Sequence, residues 1–420
     1  MSGKGNTMYY WKHMCQRKYG GSERKYSNIC FNICLLVLAC IFSIFYARYA
    51  TYSETRSKGD IQLHTLVAKA LLFQDVEFNP AFFPKHAYTY PVYHFIQKMI
   101  HLVLCIDYET AAAIVLTSSI IVSVLLYRKL ARMIVADTIR NKYYADLFSI
   151  GAVLFETARC PLNDWRYYQV QCAANPFHNP TILFVRPLAI ASYIFFVKYV
   201  KTYKVERDYK CIIFFSITTF ISIGAKPSYA IVFLPAMGIY TLIYMIHEKE
   251  VWFGVKAFIA VLPSLLLLII QQRWMSLNTE AINIHIEFGF FMKYSQFDTQ
   301  QRLIWAVFAA SLVTFPVVIL LFRLKLIKED AFYAISILAL IIGWLQMFFL
   351  KAGTTGDFSW GYDLAVQFTT LISLAETRKG EKSGKIRTCI DYLAYVIFAY
   401  QVVTGILYIW KIYTTDAFWI

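Results

Sequence analysis

Eleven apolar runs, each close to the length of a helix that crosses a lipid bilayer, leave this chain little else to fold into. They fall near residues 29–47, 110–127, 144–158, 181–197, 211–224, 229–246, 253–271, 303–322, 330–349, 361–375 and 389–410. The runs are continuous, whereas strands of a membrane barrel alternate apolar and polar residues over short segments. With 58% apolar residues and a mean hydropathy of +0.49, the whole chain belongs to the membrane class. No stretch between the runs is long enough to bury a core of its own. The expected fold is all-α: a polytopic membrane helical bundle of about 11 transmembrane helices. It would form a single domain over 29–420, preceded by a basic cytoplasmic tail over 1–28.

The net charge of +15 raises nucleic acid as a partner, but its distribution argues for lipid. Lys4, Lys12, Arg17, Lys18, Arg24 and Lys25 crowd the tail, and further clusters occupy Arg128–Lys142, Lys198–Lys210, Arg323–Lys328 and Arg378–Arg387. Cytoplasmic loops of membrane proteins carry such an excess, facing anionic head groups. The tail runs into the first apolar stretch with no small-residue cleavage site after it, as in an uncleaved signal-anchor.

Residues 88–106 are apolar but carry His94, Gln97, Lys98 and His101. If they crossed the membrane, the basic run at 128–133 would land outside. If they lie along the outer interface as an amphipathic helix, every basic cluster falls inside. The second topology makes 48–109 one long outer loop. Within it, Asp60–Phe73 has a helical apolar pattern, and Pro80, Pro84 and Pro91 break the rest into extended pieces.

With this topology the loops differ in kind. One side is basic and plain. The other holds nearly every Asp, His, Pro and Trp placed for chemistry, including those in GDIQLHT (59–65), RCPLNDWRYY (159–168), NPFHNPT (175–181), GAKPS (224–228) and GDFSWGYD (356–363). An enzyme with its site at one membrane face needs such sorting. A lipid-facing scaffold does not.

Asp60 begins the interfacial helix, where a carboxylate complements the helix dipole, and His64 lies one turn on along the same face. Together they offer a carboxylate and an imidazole for general acid–base work. Arg159, Arg166, His178 and Asn179 share a proline-rich loop suited to phosphate recognition, or alternatively to lipid head groups. Lys226 sits between Gly224 and Pro227, which break the helix and free backbone donors beside its ammonium. Lys351 invites the same argument before the next span, and the loop acid Asp357 in GTTGDFSWGYD is a further substrate-binding candidate. Trp360 and Tyr362 suit either an interfacial belt or a sugar platform. Arg186 and Asp363 lie within spans, where a charge needs a partner or a path to head groups.

An N-terminal span, an outer loop opening on GDIQLHTLVAKALL, a proline-containing segment YPVYHFIQKMI and a span ending in VLLYRKLARM resemble the GT-C superfamily over residues 28–133. These are polytopic glycosyltransferases that use polyprenyl-phosphate sugars, among them the protein O-mannosyltransferases and lipid A aminoarabinose transferases. The resemblance implies sugar transfer to an acceptor hydroxyl on a glycan, lipid or protein at the outer face, with inversion. It places the family's early acidic residue at Asp60. The family often has a second acid beside the first, where this chain has Gly59 and Ile61, so a divalent metal stays an open alternative and no metal ligand is assigned. A Wzy-type polysaccharide polymerase or ligase, and a transporter or flippase of lipid-linked sugars, are the competing readings.

Nine cysteines contribute little. Most lie in apolar stretches as small hydrophobes, and only Cys160 and Cys172 share a polar loop where a disulfide is possible.

Overall fold

The computed structural model describes residues 5–50, 60–71, 89–155, 177, 179–204, 209–278, 284–286, 325–352, 358–379 and 385–415. Among these, helices dominate. The elements are α1 (Gly5–Ala50), α2 (Asp60–Ala70), α3 (Val92–Leu104), α4 (Tyr108–Ile134), α5 (Ile139–Leu154), α6 (Pro180–Thr202), α7 (Tyr209–Ala225), α8 (Ser228–Glu248), α9 (Val251–Asn278), β1 (Ile284–Ile286), α10 (Lys325–Glu329), α11 (Ala331–Phe349), β2 (Leu350–Ala352), α12 (Ser359–Glu376) and α13 (Lys385–Thr415). The two short strands pair antiparallel, with His285 opposite Lys351.

Six described helices are long and apolar enough to cross a membrane: segments 28–50, 108–134, 180–202, 228–248, 251–275 and 389–410. Two shorter apolar helices, Tyr209–Ala225 and Ala331–Met347, pack among them. α5 and α12 run through the same bundle although neither meets that standard. The reason in α12 is burial: every residue from Ser359 to Glu376 is covered by protein, including Asp363 and Gln367. A helix that never meets lipid has no need of a uniformly apolar surface. The expected span at 303–322 lies outside the described residues.

Local chemistry sets where the helices begin. Asp107 accepts from the Thr110 N–H at 2.6 Å, Thr138 from Asn141 at 3.2 Å, Asn179 from Ile182 at 3.1 Å and Asp330 from Phe332 at 2.9 Å. Each satisfies a backbone donor that the first helical turn leaves orphaned. The Thr110 backbone and hydroxyl together hold the Asp107 carboxyl below its ordinary range.

The bundle has two chemically distinct ends. At one, Arg128 and Arg132 of α4 both clamp Asp146 of α5 at 2.8–3.0 Å. Arg128 also reaches Asn28 of α1 at 2.8 Å and lies over the Phe31 ring. Nearby, Asn141 donates to the Arg378 carbonyl, Lys379 and Lys201 meet Asp330, and Lys204 pairs with Glu248. These contacts gather the start of the apolar part of α1 with the ends of α4, α6, α8 and α12. At the opposite end lie α2, α3 and the N-termini of α4, α6, α8 and α12.

α3 stays at that second end. Its 13 residues extend about 20 Å, well short of a bilayer core. Val92 packs near Gly224 at the end of α7, while Gln97 and His101 contact Tyr108 at the start of α4. Its polarity is inverted relative to a helix facing water. Tyr93, His94, Gln97 and Lys98 are buried, whereas Phe95, Met99, Leu102 and Val103 are exposed. An outward apolar face is what hydrocarbon contact calls for, so the helix sits on the bundle with its polar groups toward protein.

Candidate functional site

Four helix N-termini meet at the end opposite the arginine clamps, and one asparagine joins two of the residues expected to carry chemistry. Asn179 caps α6, with Pro180 following at a position where a missing N–H costs no hydrogen bond. Its Oδ1 accepts from the Ile182 N–H, from the Thr181 hydroxyl at 2.8 Å and from Lys226 Nζ at 3.2 Å. Its Nδ2 donates to Asp60 Oδ2 at 2.9 Å. The amide thus links a carboxylate on α2 to an ammonium between α7 and α8, residues separated by most of the first half of the chain.

Lys226 is held from several directions. α7 ends at Ala225, and the Lys226 N–H still bonds back to the Ser222 carbonyl at 2.8 Å. Pro227 then starts α8. The side chain donates to Thr181 Oγ1 at 3.2 Å and lies 4.7 Å from the centre of the Trp360 ring, within range of a cation–π contact. Trp360 arrives because α12 approaches α8 closely at Gly361. A Cβ there would stand 2.5 Å from Val232 and 2.7 Å from the Ser228 carbonyl oxygen, so only glycine permits the packing.

Asp60 is half-buried at the start of α2. The helices α2, α6, α8 and α12 all begin here, and their N-terminal dipoles add to the Lys226 charge. The locus therefore presents a carboxylate beside a concentration of positive potential. A hydroxyl can give its proton to the first, and an anion can be stabilised by the second.

His64 is buried one turn beyond Asp60, and its Nδ1 lies 2.8 Å from His94 Nε2. The two rings are hydrogen-bonded across the α2–α3 contact, against the Tyr93 ring. Gln97 donates to Thr65 at 3.1 Å and to the Tyr108 carbonyl at 3.0 Å. Lys98 donates to the Lys69 and Leu71 carbonyls, closing the C-terminal end of α2 with a cation. These contacts fix the helix that bears Asp60.

A second buried polar layer lies further into the bundle. Arg186, two turns past Asn179 on α6, is 1% exposed, and none of its guanidinium nitrogens has a hydrogen-bond partner among the described residues. It stands close enough to act electrostatically on Asp363, Tyr46 and Tyr127. Asp363 accepts from Gln367 at 3.2 Å, and Gln367 in turn accepts from the Tyr127 hydroxyl at 3.3 Å.

Of the expected site residues, Asp60 and Lys226 are brought together, and His64 is one turn from Asp60 with His94 as its partner. Arg159, Arg166, His178 and Asp357 lie outside the described residues, as do Cys160 and Cys172. Lys351 is placed by its backbone alone, in β2. No three His, Cys, Asp or Glu side chains come together among the described residues. A divalent ion beside Asp60 would have to draw its other ligands from elsewhere. Sequence reasoning missed the roles of Asn179 and His94. Asn179 carried a legible signal, Asn-Pro-Thr at the entry to an apolar run, which is a helix-capping pattern. His94 carried none, because its partner lies 30 positions away.

The chain matches no known protein-family profile, and no curated protein shows significant similarity to it.

Proposed function

We propose that this chain is a GT-C-type membrane glycosyltransferase with about eleven spanning helices. It would transfer a sugar from a polyprenyl-phosphate donor to an acceptor hydroxyl on a glycan, lipid or protein. The reading places the basic end of the bundle and the N-terminus in the cytoplasm, and the Asp60–Asn179–Lys226 locus at the outer face of the cell membrane. The observation that carries it is the Asn179 bridge between the Asp60 carboxylate and the Lys226 ammonium.

In this mechanism Asp60 takes the proton from the acceptor hydroxyl as that oxygen bonds to the anomeric carbon. The bond from that carbon to the donor phosphate breaks, and its electron pair leaves on the phosphate. Lys226 and the α6 and α8 N-termini stabilise the departing charge, the kind of preorganised electrostatics that dominates many catalytic sites. Attack opposite the leaving group inverts the sugar. His64 with His94 holds α2, and so Asp60, in position. Arg159, Arg166, His178, Lys351 and Asp357 complete the donor and acceptor contacts in this reading, and no step requires a metal.

A second reading draws support from the Arg186–Asp363 layer. A transporter of lipid-linked sugars places polar groups along a path through the membrane, and this layer lies within the spans.

The discriminating experiment follows transfer from a polyprenyl-phosphate sugar by the purified protein, alongside movement of that lipid across vesicle membranes. The glycosyltransferase reading expects Asp60→Asn and Lys226→Gln each to lower transfer by about 10²-fold or more. Deleting the gene should make the lipid-linked donor accumulate. Full transfer by Asp60→Asn would overturn it. Lipid movement that persists in Asp60→Asn and stops in Arg186→Leu would establish the transporter instead.

A further inference from the structure

The sugar-transfer mechanism leaves Arg186 unused, although this side chain is buried and its Nε, Nη1 and Nη2 all lack a hydrogen-bond partner among the described residues. A guanidinium in that state is costly unless something supplies acceptors for it. Asp363 acts on it electrostatically but takes no hydrogen bond from it. The Asp363 carboxylate is instead held by Gln367, which is itself held by the Tyr127 hydroxyl, so an acceptor stands fixed beside unused donors.

Two helices place this layer just inside the Asp60–Asn179–Lys226 locus. On α6, Arg186 follows Asn179 by seven residues, two turns along the same face. Helical side chains lean toward the N-terminus, which brings the guanidinium back toward the Asn179 amide. The Tyr46 hydroxyl, on which Arg186 also acts, donates to the carbonyl of Phe177, two residues before Asn179. On α12, Trp360 meets Lys226, and Asp363 follows one turn later on the same face, about 4.5 Å further into the bundle. That offset is close to the span of a pyranose ring with its substituents.

Charge selects the ligand class. A phosphate in this layer would face Asp363, and a metal ion would face Arg186. A neutral, hydroxyl-rich ligand suits both, since a hydroxyl accepts from the guanidinium fork and donates to a carboxylate. We propose that Arg186 and Asp363 read adjacent hydroxyls on the sugar ring of a lipid-linked sugar whose phosphate lies at Lys226. The assignment rests on the lipid-linked-sugar reading above and goes beyond it by naming the residues that choose the sugar. Within a site shut off from water, a sugar with a hydroxyl missing or inverted leaves protein groups unpaired, so discrimination is strong.

The test measures the affinity of the full-length protein for undecaprenyl phosphate, bare or carrying glucose, galactose or mannose. Wild type should bind one of the three sugar lipids at least about tenfold more tightly than the others. Arg186→Lys keeps a cation beside Asp363 but loses the planar fork, and Asp363→Asn keeps the shape but loses the charge. Each should bring the three sugars to near equality while bare undecaprenyl phosphate binds as in wild type. Lys226→Gln should weaken all four lipids together.

Equal affinity for the three sugars in wild type, or a preference that survives both substitutions, would overturn the proposal. Weaker binding of the bare lipid by Arg186→Lys would do so too, by making Arg186 a phosphate ligand. If Arg186 and Asp363 serve only each other, each single variant lowers the melting temperature, Arg186→Leu combined with Asp363→Leu restores it, and the sugar preference is untouched. Should Arg186→Lys fail to fold, Asp363→Asn decides the matter. A preference abolished by these variants, in a protein whose Asp60→Asn form still transfers sugar, would uphold this site and overturn the transfer mechanism alone.

Discussion

The hydrogen-bonding capacity of Asn179 serves two purposes at one point in space. Its oxygen caps α6 and receives Lys226, and its nitrogen holds Asp60. These roles separate by substitution. Serine at 179 keeps a capping oxygen but is too short to bridge the carboxylate and the ammonium, so the helix should stay intact while the site loosens. Aspartate also keeps the cap, but sets a second negative charge against Asp60. Both Asn179→Ser and Asn179→Asp are expected to retain the wild-type melting temperature within a few degrees. On the glycosyltransferase reading, both should lower sugar transfer roughly 5- to 150-fold, the range set by about 1–3 kcal/mol for a lost buried partner. Unimpaired transfer by Asn179→Asp would show that the bridge is only structural.

At the scale of elements, the end remote from Asp60 is tied by charge. Asp330 caps α11, receives Lys379 from the segment after α12 and faces Lys201 of α6 at 3.4 Å. Burial pushes the Asp330 carboxyl upward, but the Lys379 hydrogen bond and the charges of Lys201 and Lys379 outweigh it, and the net shift is downward. Burial lowers the Lys379 ammonium, and its bond to Asp330 together with the Glu376 charge outweighs that, so it is raised. A carboxyl held below its unfolded value stabilises the fold above that value and loses the contribution as pH falls through the folded one. Asp330→Asn should therefore lower stability by about 1–3 kcal/mol near neutrality, and the difference from wild type should shrink as pH falls below the ordinary aspartate range and through the lowered folded value. Thermal unfolding followed by circular dichroism across that range checks it. A constant difference at all pH values would mean that the cap, and not the charge, is what Asp330 supplies.

For the whole molecule, the separation of its two ends is the property on which topology rests. Asp107 at the start of α4 and Asp137 after its end are both exposed, and they lie at opposite ends of the bundle. In a chain stripped of native cysteines, Asp107→Cys should react with a membrane-impermeant thiol reagent on intact cells. Asp137→Cys should react only after permeabilisation. The reverse pattern would put the Asp60 locus in the cytoplasm and remove polyprenyl-phosphate chemistry at an outer face.

The apolar runs were sufficient to determine that the chain is a helical membrane protein, because a bilayer demands long stretches whose backbone groups bond within themselves. The caps at Asp107, Thr138 and Asp330 obey equally local rules, but they were not among the expectations drawn from the sequence. Asp60 and Lys226 could be singled out because a carboxylate at a helix start and a cation between helix-breaking residues are unusual within one short window. What only the tertiary structure decided is which of these groups meet. The Asn179 bridge, the His64–His94 pair and the passage of α12 through the centre each join residues far apart in the chain. Their meeting depends on how whole helices pack, through contacts such as Gly361 against Ser228, and no local pattern of residues encodes that distance.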